Sequence, residues 1–476
     1  METLIKQRAM SLIEDVPQAY RKVVKDIVSD PQTNEGIEAM MGRESDFRSP
    51  LAALFAGIAL VPQARTLWED KLDKVWTRNA IPRDRVEEVV VGSGIQAAIY
   101  VAMRVAMGHP APLVIEKEDR AGGVFAMTRG PAFYLNSRNR PGDLGLPGRK
   151  GALNFLPGAI LQPSDISGEE YMVNSDLAFI IRATLALSGA RVVTGVEVGG
   201  VEQDTSIGCY YQDPDYGRSR LPALYLQDNR RVRANRIISA TGIGDPNRAF
   251  SYSERVLSFP DFMRRMDTPF PLQGLGKVAV IGAGDSGKVV IEALTGLGPA
   301  RHMSVASLDW MDEIRWIGPG LQTSQTDWES CNRPRYKQIG TLLKSTNERP
   351  ARVRAEDRRL DTFYVDDGFN NVLIEGVPYD TVIDCTGFYE NRSVGNSDGY
   401  ASGYARPLST GYRSLARKRA QAPYQVYLIG PCSQLDYESF DTLATPLRGD
   451  ARQQRENRVA IYRFADRTAE LAQSLS

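Results

Sequence analysis

Two short glycine-rich turns carry the residue types and spacing in this chain that are best suited to chemistry. The first follows the apolar run Val89-Val90-Val91 and reads Gly92-Ser93-Gly94-Ile95-Gln96-Ala97. The second follows Val278-Ala279-Val280-Ile281 and reads Gly282-Ala283-Gly284-Asp285-Ser286-Gly287. In each, the first glycine permits a tight turn out of a strand and the second lets the backbone approach a pyrophosphate. The third small residue lets helix and strand pack closely. The helix that starts there directs its free N–H groups and the positive end of its dipole at phosphate charge. Two such turns in one chain suggest two dinucleotides passing a hydride between them.

Further candidates surround the turns. The strand Leu113-Val114-Ile115 ends at Glu116, where a carboxylate accepts hydrogen bonds from both hydroxyls of an adenosine ribose. Gly122-Gly123 follows, either a loop lying against a bulky ligand without Cβ interference or a simple turn. Beyond it, Asn136, Ser137 and Arg138 are candidates to face a substrate; an ordinary polar turn before Pro141-Gly142 is the alternative. Arg333 and Arg335 follow the second strand of the second unit. Guanidinium forks match a ribose 2′-phosphate, and a plain surface role is the other reading. Asp285 and Ser286 stand where helix N-capping alone accounts for them. The only histidines, His109 and His302, lie beside no motif, which argues against a histidine base or triad. Cys209, Cys331, Cys385 and Cys432 form no Cys-x-x-Cys, so neither a zinc knuckle nor a redox dithiol is indicated.

The elements that must position these groups follow from periodicity. Residues 1–84 read as helical, with Leu4, Met10, Ile13 and Val16, and later Leu67, Trp68, Leu72 and Val75, at roughly helical spacing. They form a helical cap or an oligomerisation surface, or else a substrate lid. From Val86 the pattern becomes strand, turn, helix, strand. Asn174 or Ser175 caps a helix from Asp176 to Ser188 that Gly189 stops. Strands follow at 191–194, 196–201 and 236–239, the last ending in Ala240-Thr241-Gly242. A second unit opens at Lys277, has its next strand at 314–317 after an insertion at 298–312, and closes at Thr381-Val382-Ile383-Asp384-Cys385-Thr386-Gly387-Phe388. A last strand, 426–429, reaches Gly430, and a polar helix covers 450–471. The expected architecture is α/β, with two Rossmann-like dinucleotide-binding domains, the second inserted in the first, plus an N-terminal helical extension. Its divisions are 1–84 for the extension, 85–270 for the first domain, 271–388 for the second, and 389–476 for the return to the first.

Composition sets outer bounds. A chain of 476 residues, 42% hydrophobic and 24% charged, holds about three domains' worth of material. Lys plus Arg and Asp plus Glu number 58 each, so no global field favours nucleic acid or an anionic membrane. The basic stretches 349–359 and 413–419 read as solvated surface, with a share in binding a cofactor phosphate as the lesser reading. Isolated thiols fit a reducing cytoplasm. The N-terminus lacks a signal-peptide pattern, and the apolar run 51–61 is too short to span a bilayer. A soluble, cytoplasmic protein is expected.

Taken together, Gly92-x-Gly94-x-x-Ala97, Glu116, Gly122-Gly123, Ala240-Thr241-Gly242, Gly282-x-Gly284-x-Ser286-Gly287 and the segment Asp380 to Phe388 resemble the two-dinucleotide-binding flavoproteins. Within them, the chain is similar to the class B flavin-containing monooxygenases over 85–476. The resemblance implies FAD at the first turn and NADPH at the second. It further implies Glu116 on the FAD ribose, Val198 against the adenine, and Gly430 bringing the last strand to the flavin. Thr241-Gly242 and Thr386-Gly387 lie where the chain crosses between domains near the cofactors, and Asn136 faces the flavin or the substrate. The Baeyer–Villiger subclass carries Phe-x-Gly-x-x-x-His before the second turn, whereas the equivalent stretch here, 256–262, has no histidine. The 380–388 segment is similar to the signature of N-hydroxylating enzymes, with Asp384, Cys385 and Phe388 departing from it. The implied reaction is NADPH reduction of FAD, capture of molecular oxygen as a flavin C4a-hydroperoxide, and oxygen transfer to a soft nucleophile, an amine or thioether of a small molecule. An NAD(P)H-dependent flavin reductase, dehydrogenase or oxidase is the alternative on the same scaffold. A non-catalytic nucleotide-binding protein is the third reading.

Overall fold

A computed structural model of the chain describes residues 2–83, 85–126, 134–138, 156–166, 171–202, 223–228, 230–242, 254–266, 268, 273–295, 314–319, 321, 339–342, 353–359, 365–367, 372–386, 426–429, 468–469, 471–473 and 475. The chain opens with helices α1 (Glu2–Ser11), α2 (Gln18–Val28), α3 (Asn34–Met41), α4 (Pro50–Leu60) and α5 (Pro62–Arg78). The apolar spacing read across Leu4 to Val16 spans two elements rather than one. A 3-10 turn over Leu12–Asp15 follows α1; Ile13 and Val16 are buried, while Leu4 in α1 is 69% exposed. Ser49 starts α4 by accepting a hydrogen bond from the Ala52 N–H, with Pro50 preset for the first turn. Helix α4 is buried from Ala52 to Ala59, and α5 leaves it at a bend of 100° beginning with Pro62. Among the described residues no single helix is long and apolar enough to cross a membrane. Helix α5 buries Ala64, Trp68, Leu72 and Trp76, one residue per turn on one face.

The first sheet grows from β1 (Val86–Val91), helix α6 (Ile95–Ala106) and β2 (Leu113–Ile115). A short ribbon of β3 (Tyr134–Arg138) and β4 (Tyr171–Val173) flanks the short helix α7 (Pro163–Ile166) in sequence. Helix α8 (Asn174–Leu187) leads to β5 (Arg191–Val193), then to β6 (Val198–Glu202), β7 (Ala223–Leu226) and β8 (Arg231–Ser239). Strand order is β5-β2-β1-β8-β7-β6, with β5, β2, β1 and β8 mutually parallel. The parallel run β5-β2-β1-β8, with the glycine strand inside, follows the Rossmann order, and β7 and β6 extend it beyond β8 as antiparallel strands. The stop of α8 is as expected. Gly189, at φ +70°, donates to the Ala186 carbonyl at 2.9 Å while Ala190 reaches back to Leu185 at 3.1 Å, a Schellman end. Its start is not: Asn174 lies inside the helix after Val173, and its side chain turns to the Phe125 carbonyl instead of capping.

The second sheet contains β9 (Val256–Ser258), followed by helix α9 (Phe259–Arg265), then β10 (Val278–Ile281), helix α10 (Asp285–Thr295), β11 (Ile314–Gly318) and β12 (Val353–Asp357). An antiparallel unit of β13 (Val365–Asp367), β14 (Val372–Ile374) and β15 (Val377–Tyr379) precedes β16 (Thr381–Asp384). The sheet order is β12-β11-β10-β16-β9, parallel throughout. Strands β10, β11 and β16 are buried along their whole length, as a sheet covered on both faces requires. Its edge strand β9 lies upstream of residue 271. A three-residue edge strand has too little pattern to be assigned to a sheet before the pairing is known. Strand β17 (Val426–Leu428) then pairs with β8 in the first sheet, so the chain returns there after the second sheet. Thr468 and Ala472 dock on α6, the first through Gln96 at 2.6 Å and the second through Arg104 at 3.2 Å.

Candidate functional site: two nucleotide turns

At the first turn, Gly92 has φ +93° and donates its N–H to the Ile115 carbonyl at 2.8 Å. A Cβ on it would lie 2.5 Å from the Ala240 carbonyl oxygen, so glycine is demanded by both conformation and space. Gly94 precedes α6 and accepts the first helical bond from Ala98 at 3.1 Å. The Gly122-Gly123 loop comes to meet it: a Cβ on Gly123, at φ +63°, would stand 2.9 Å from the Gly94 Cα. Ala97 is fully buried where α6 crosses the sheet.

Ser93, between the two glycines, is buried and ties the motif together. Its N–H and hydroxyl both donate to Glu116 Oε2, at 3.0 and 2.5 Å, and its Oγ accepts from the Gly122 N–H at 2.9 Å. The Glu118 N–H occupies Glu116 Oε1 at 3.1 Å. Burial pushes the Glu116 carboxyl above its ordinary range, and the donors from Ser93 and Glu118 pull partly against that. A carboxylate offers about four acceptor positions, so the geometry leaves Glu116 room for one further donor.

The second turn repeats this backbone. Gly282 has φ +119° and donates to the Ile317 carbonyl at 2.8 Å, and a Cβ on it would lie 2.2 Å from the Cys385 carbonyl oxygen. Gly284 accepts from Lys288 at 3.1 Å as α10 begins. Cys385 N–H bonds to the Ile281 carbonyl at 2.7 Å, as Ala240 N–H bonds to Val91 at 2.8 Å. The residues after the shared bond differ: Ile115 is followed by Glu116, and Ile317 by Gly318. A Cβ on Gly318 would stand 2.6 Å from the Ala283 nitrogen, so no side chain fits where the first turn has its carboxylate. Trp316 lies beneath the turn and donates from Nε1 to the Gly282 carbonyl at 2.9 Å. Gly287 is then obligatory, since its Cβ would meet the Gly282 oxygen at 2.1 Å and the indole nitrogen at 3.3 Å.

Ser286 is partly buried in the first turn of α10. Thr386 donates from both its N–H and its hydroxyl to Asp384 Oδ1, at 2.9 and 2.6 Å. Thr241 lies beside Ser239, their hydroxyls 3.3 Å apart, and Gly242 has φ +73°. Val198 is buried in the cluster with Ile115 and Val193. Burial, with Asp384 adding to it, pushes the Cys385 thiol well above its ordinary value, so this cysteine rests as an unreactive thiol. Asn136 falls within β3, where only its backbone is described. Arg333, Arg335, Gly387 and Gly430 lie outside the described residues. Sequence reasoning passed over Ser93, Trp316 and Gly318. The one available signal was position: each lies in or immediately beside the turn, or on the strand paired with it.

Neither a family model nor a curated protein matches the sequence. Solved structures do match the fold. Ornithine N-hydroxylase from Kutzneria sp. 744, solved with reduced FAD, NADP+ and L-ornithine, aligns at TM-score 0.50 and 12% identity over 82% of this chain and 99% of that one. A flavin-containing monooxygenase from Stenotrophomonas maltophilia aligns at 0.42 and 16% over 82% and 99%. Bacillithiol disulfide reductase from Staphylococcus aureus aligns at 0.46 and 13% over 82% and 98%. With two sheets of mainly parallel strands, each carrying a glycine turn, the chain has the fold of ornithine N-hydroxylase, built on two Rossmann-like units.

Proposed function

We propose that this chain is an FAD- and NADPH-dependent monooxygenase that oxygenates a soft nucleophile, an amine or thioether, of a small molecule. The observation that carries the reading is the pair of turns with matching backbone hydrogen bonds and different strand ends. The first offers a carboxylate at the place where a ribose with free hydroxyls is held, which suits FAD. The second has glycine there, and no acid to repel a 2′-phosphate, which favours NADPH over NADH. Both turns fit a dinucleotide: the space a Cβ would fill is left to backbone, and a helix N-terminus faces each cradle. Shared fold does not decide the reaction. The bound flavin supplies the redox and oxygen chemistry, and the chain supplies orientation and the exclusion of water. A buried, high-pKa Cys385 without a neighbouring Cys-x-x-Cys speaks for oxygen transfer over thiol exchange. Asn136 is assigned to the flavin or substrate, and Arg333 with Arg335 to the 2′-phosphate. A cytoplasmic location belongs to the same proposal, supported by four cysteines without paired spacing.

The test is flavin absorbance during anaerobic reduction with NADPH, followed by rapid mixing with oxygen. A long-lived flavin C4a-hydroperoxide band supports the monooxygenase and justifies screening amines and thioethers. Immediate reoxidation without substrate points to an oxidase or reductase or to a monooxygenase that needs substrate bound, and reoxidation that yields hydrogen peroxide and no oxygenated product with every amine and thioether tried sinks the reading. Absence of bleaching by NADPH removes the nicotinamide from the second turn.

A further inference from the structure

The N-terminal helices carry no part of the dinucleotide motifs, yet a continuous chain of contacts joins them to the first turn. Arg182 of α8 is fully buried. It donates from Nη2 to Asp73 Oδ1 of α5 at 2.6 Å and to the Glu69 carbonyl at 3.2 Å, and its guanidinium lies 4.9 Å over the Trp76 ring. Its Nη1 donates to the Ala121 carbonyl at 2.8 Å. The next residue, Gly122, donates to Ser93 Oγ, which in turn donates to Glu116. The stem of Arg182 also flanks Gly122, since a Cβ there would lie 3.6 Å from its Cγ. In parallel, Arg120 pairs with Glu69 and approaches Asp73 at 3.8 Å. Two carboxylates on successive turns of α5 thus hold the two guanidiniums that bracket the start of the Gly122-Gly123 loop.

We propose that Asp73 and Arg182 are positioning residues for the first nucleotide site: through them α5 fixes the 120–123 backbone, and with it Ser93 and Glu116, in the geometry that retains the flavin. The inference rests on the flavin reading of that turn. It makes the N-terminal helices a fixed brace of the site rather than a lid. A buried cation whose partner is removed stays uncompensated, so Arg182 must shift toward new acceptors, and the Ala121 carbonyl loses its anchor. Packing of α5 contributes separately, through Leu72 and Trp68 on its apolar face.

The experiment uses the full-length apo-protein and free FAD as probe, with Asp73→Asn, Arg182→Lys and a packing control, Leu72→Ala. FAD affinity is measured below the unfolding midpoint of every variant, alongside amide exchange at 121–123. Asp73→Asn and Arg182→Lys are expected to weaken FAD binding by about tenfold, the scale of one charge-assisted hydrogen bond, and to speed exchange at Gly122. Leu72→Ala, which loosens the same helix without touching the contact chain, is expected to leave both nearly unchanged. Equal loss in all three variants, or no loss in the first two, overturns the proposal. If the wild-type chain binds no FAD, the flavin reading fails. The exchange comparison then still decides whether Asp73 and Arg182 hold the loop.

Discussion

The two turns share their backbone and diverge in what lies under and beside it. Both begin with a glycine pressed against the carbonyl of a neighbouring strand end, Ala240 in one and Cys385 in the other. At the first turn Val114 pairs with Val90, and the third small position can be Ala97. At the second, Trp316 pairs with Val280 and its indole holds the Gly282 carbonyl, against which a Cβ would collide, so that position must be Gly287. Ser93 and Glu116 form a hydrogen-bonded pair, and their counterparts Ala283 and Gly318 form an apolar one in close contact. A fingerprint for phosphate is therefore a constraint on backbone. Discrimination between riboses is set by the side chains the surrounding strands allow.

The largest effects should come from the shared feature. Gly92→Ala and Gly282→Ala each combine strained φ with a carbonyl collision, costing about 3 kcal/mol or more. The first should abolish flavin copurification, whereas the second should leave flavin bound and abolish its reduction by NADPH. Loss of both functions in both variants breaks the assignment of one cofactor per turn. Next, Gly287→Ala should destabilise by about 2 kcal/mol in chemical denaturation. The double variant Gly287→Ala, Trp316→Val should show favourable coupling of about 1 kcal/mol, because losing the indole donor frees the Gly282 carbonyl to move away from the added methyl group. Additive losses would falsify the account of the indole.

Ser93→Ala removes one donor and one acceptor at once and should cost about 1–3 kcal/mol, while Ala283→Ser should change thermal stability by less than about 1 kcal/mol. Reversal of that order would show that Ser93 does not tie the first turn. The smallest effect concerns pH. The Glu116 carboxyl is raised by burial, so protonation sets in at higher pH than for an ordinary glutamate. As pH falls through that raised value, Glu116 stops accepting from the ribose and FAD affinity should decline. Apo-protein stability from this group runs the other way, present at low pH and lost as pH rises through the same value. Glu116→Gln should weaken FAD binding by about tenfold and flatten its pH dependence; an unchanged profile would locate the titration elsewhere.

Much of this site could be read in advance because its demands are local. Gly92, Gly94, Gly282 and Gly284 announce themselves by type and spacing after apolar strands, and Glu116 by its place at the end of the next one. The strands at 113–115, 314–317 and 381–384 stand where continuous burial of Val and Ile requires them. Other features were invisible for a physical reason. The role of Ser93 depends on Glu116 and Gly122 arriving from other segments, and the hydrogen bond that holds the Gly282 carbonyl against Gly287 depends on Trp316 coming from the neighbouring strand. Leu4 followed the helical spacing, yet it lies on the exposed side of α1, outside the core that takes Ile13 and Val16.

By itself, then, the sequence determined that two strand-turn-helix units exist and that each presents a backbone fit for a dinucleotide. Turn conformation and strand burial depend on a few consecutive residues. Only the tertiary structure decided that the first turn keeps a carboxylate where the second excludes any side chain, and that α5 reaches the Gly122-Gly123 loop through Asp73 and Arg182. Those outcomes are contacts between residues far apart in the chain, and their energies exist only once the segments have been brought together.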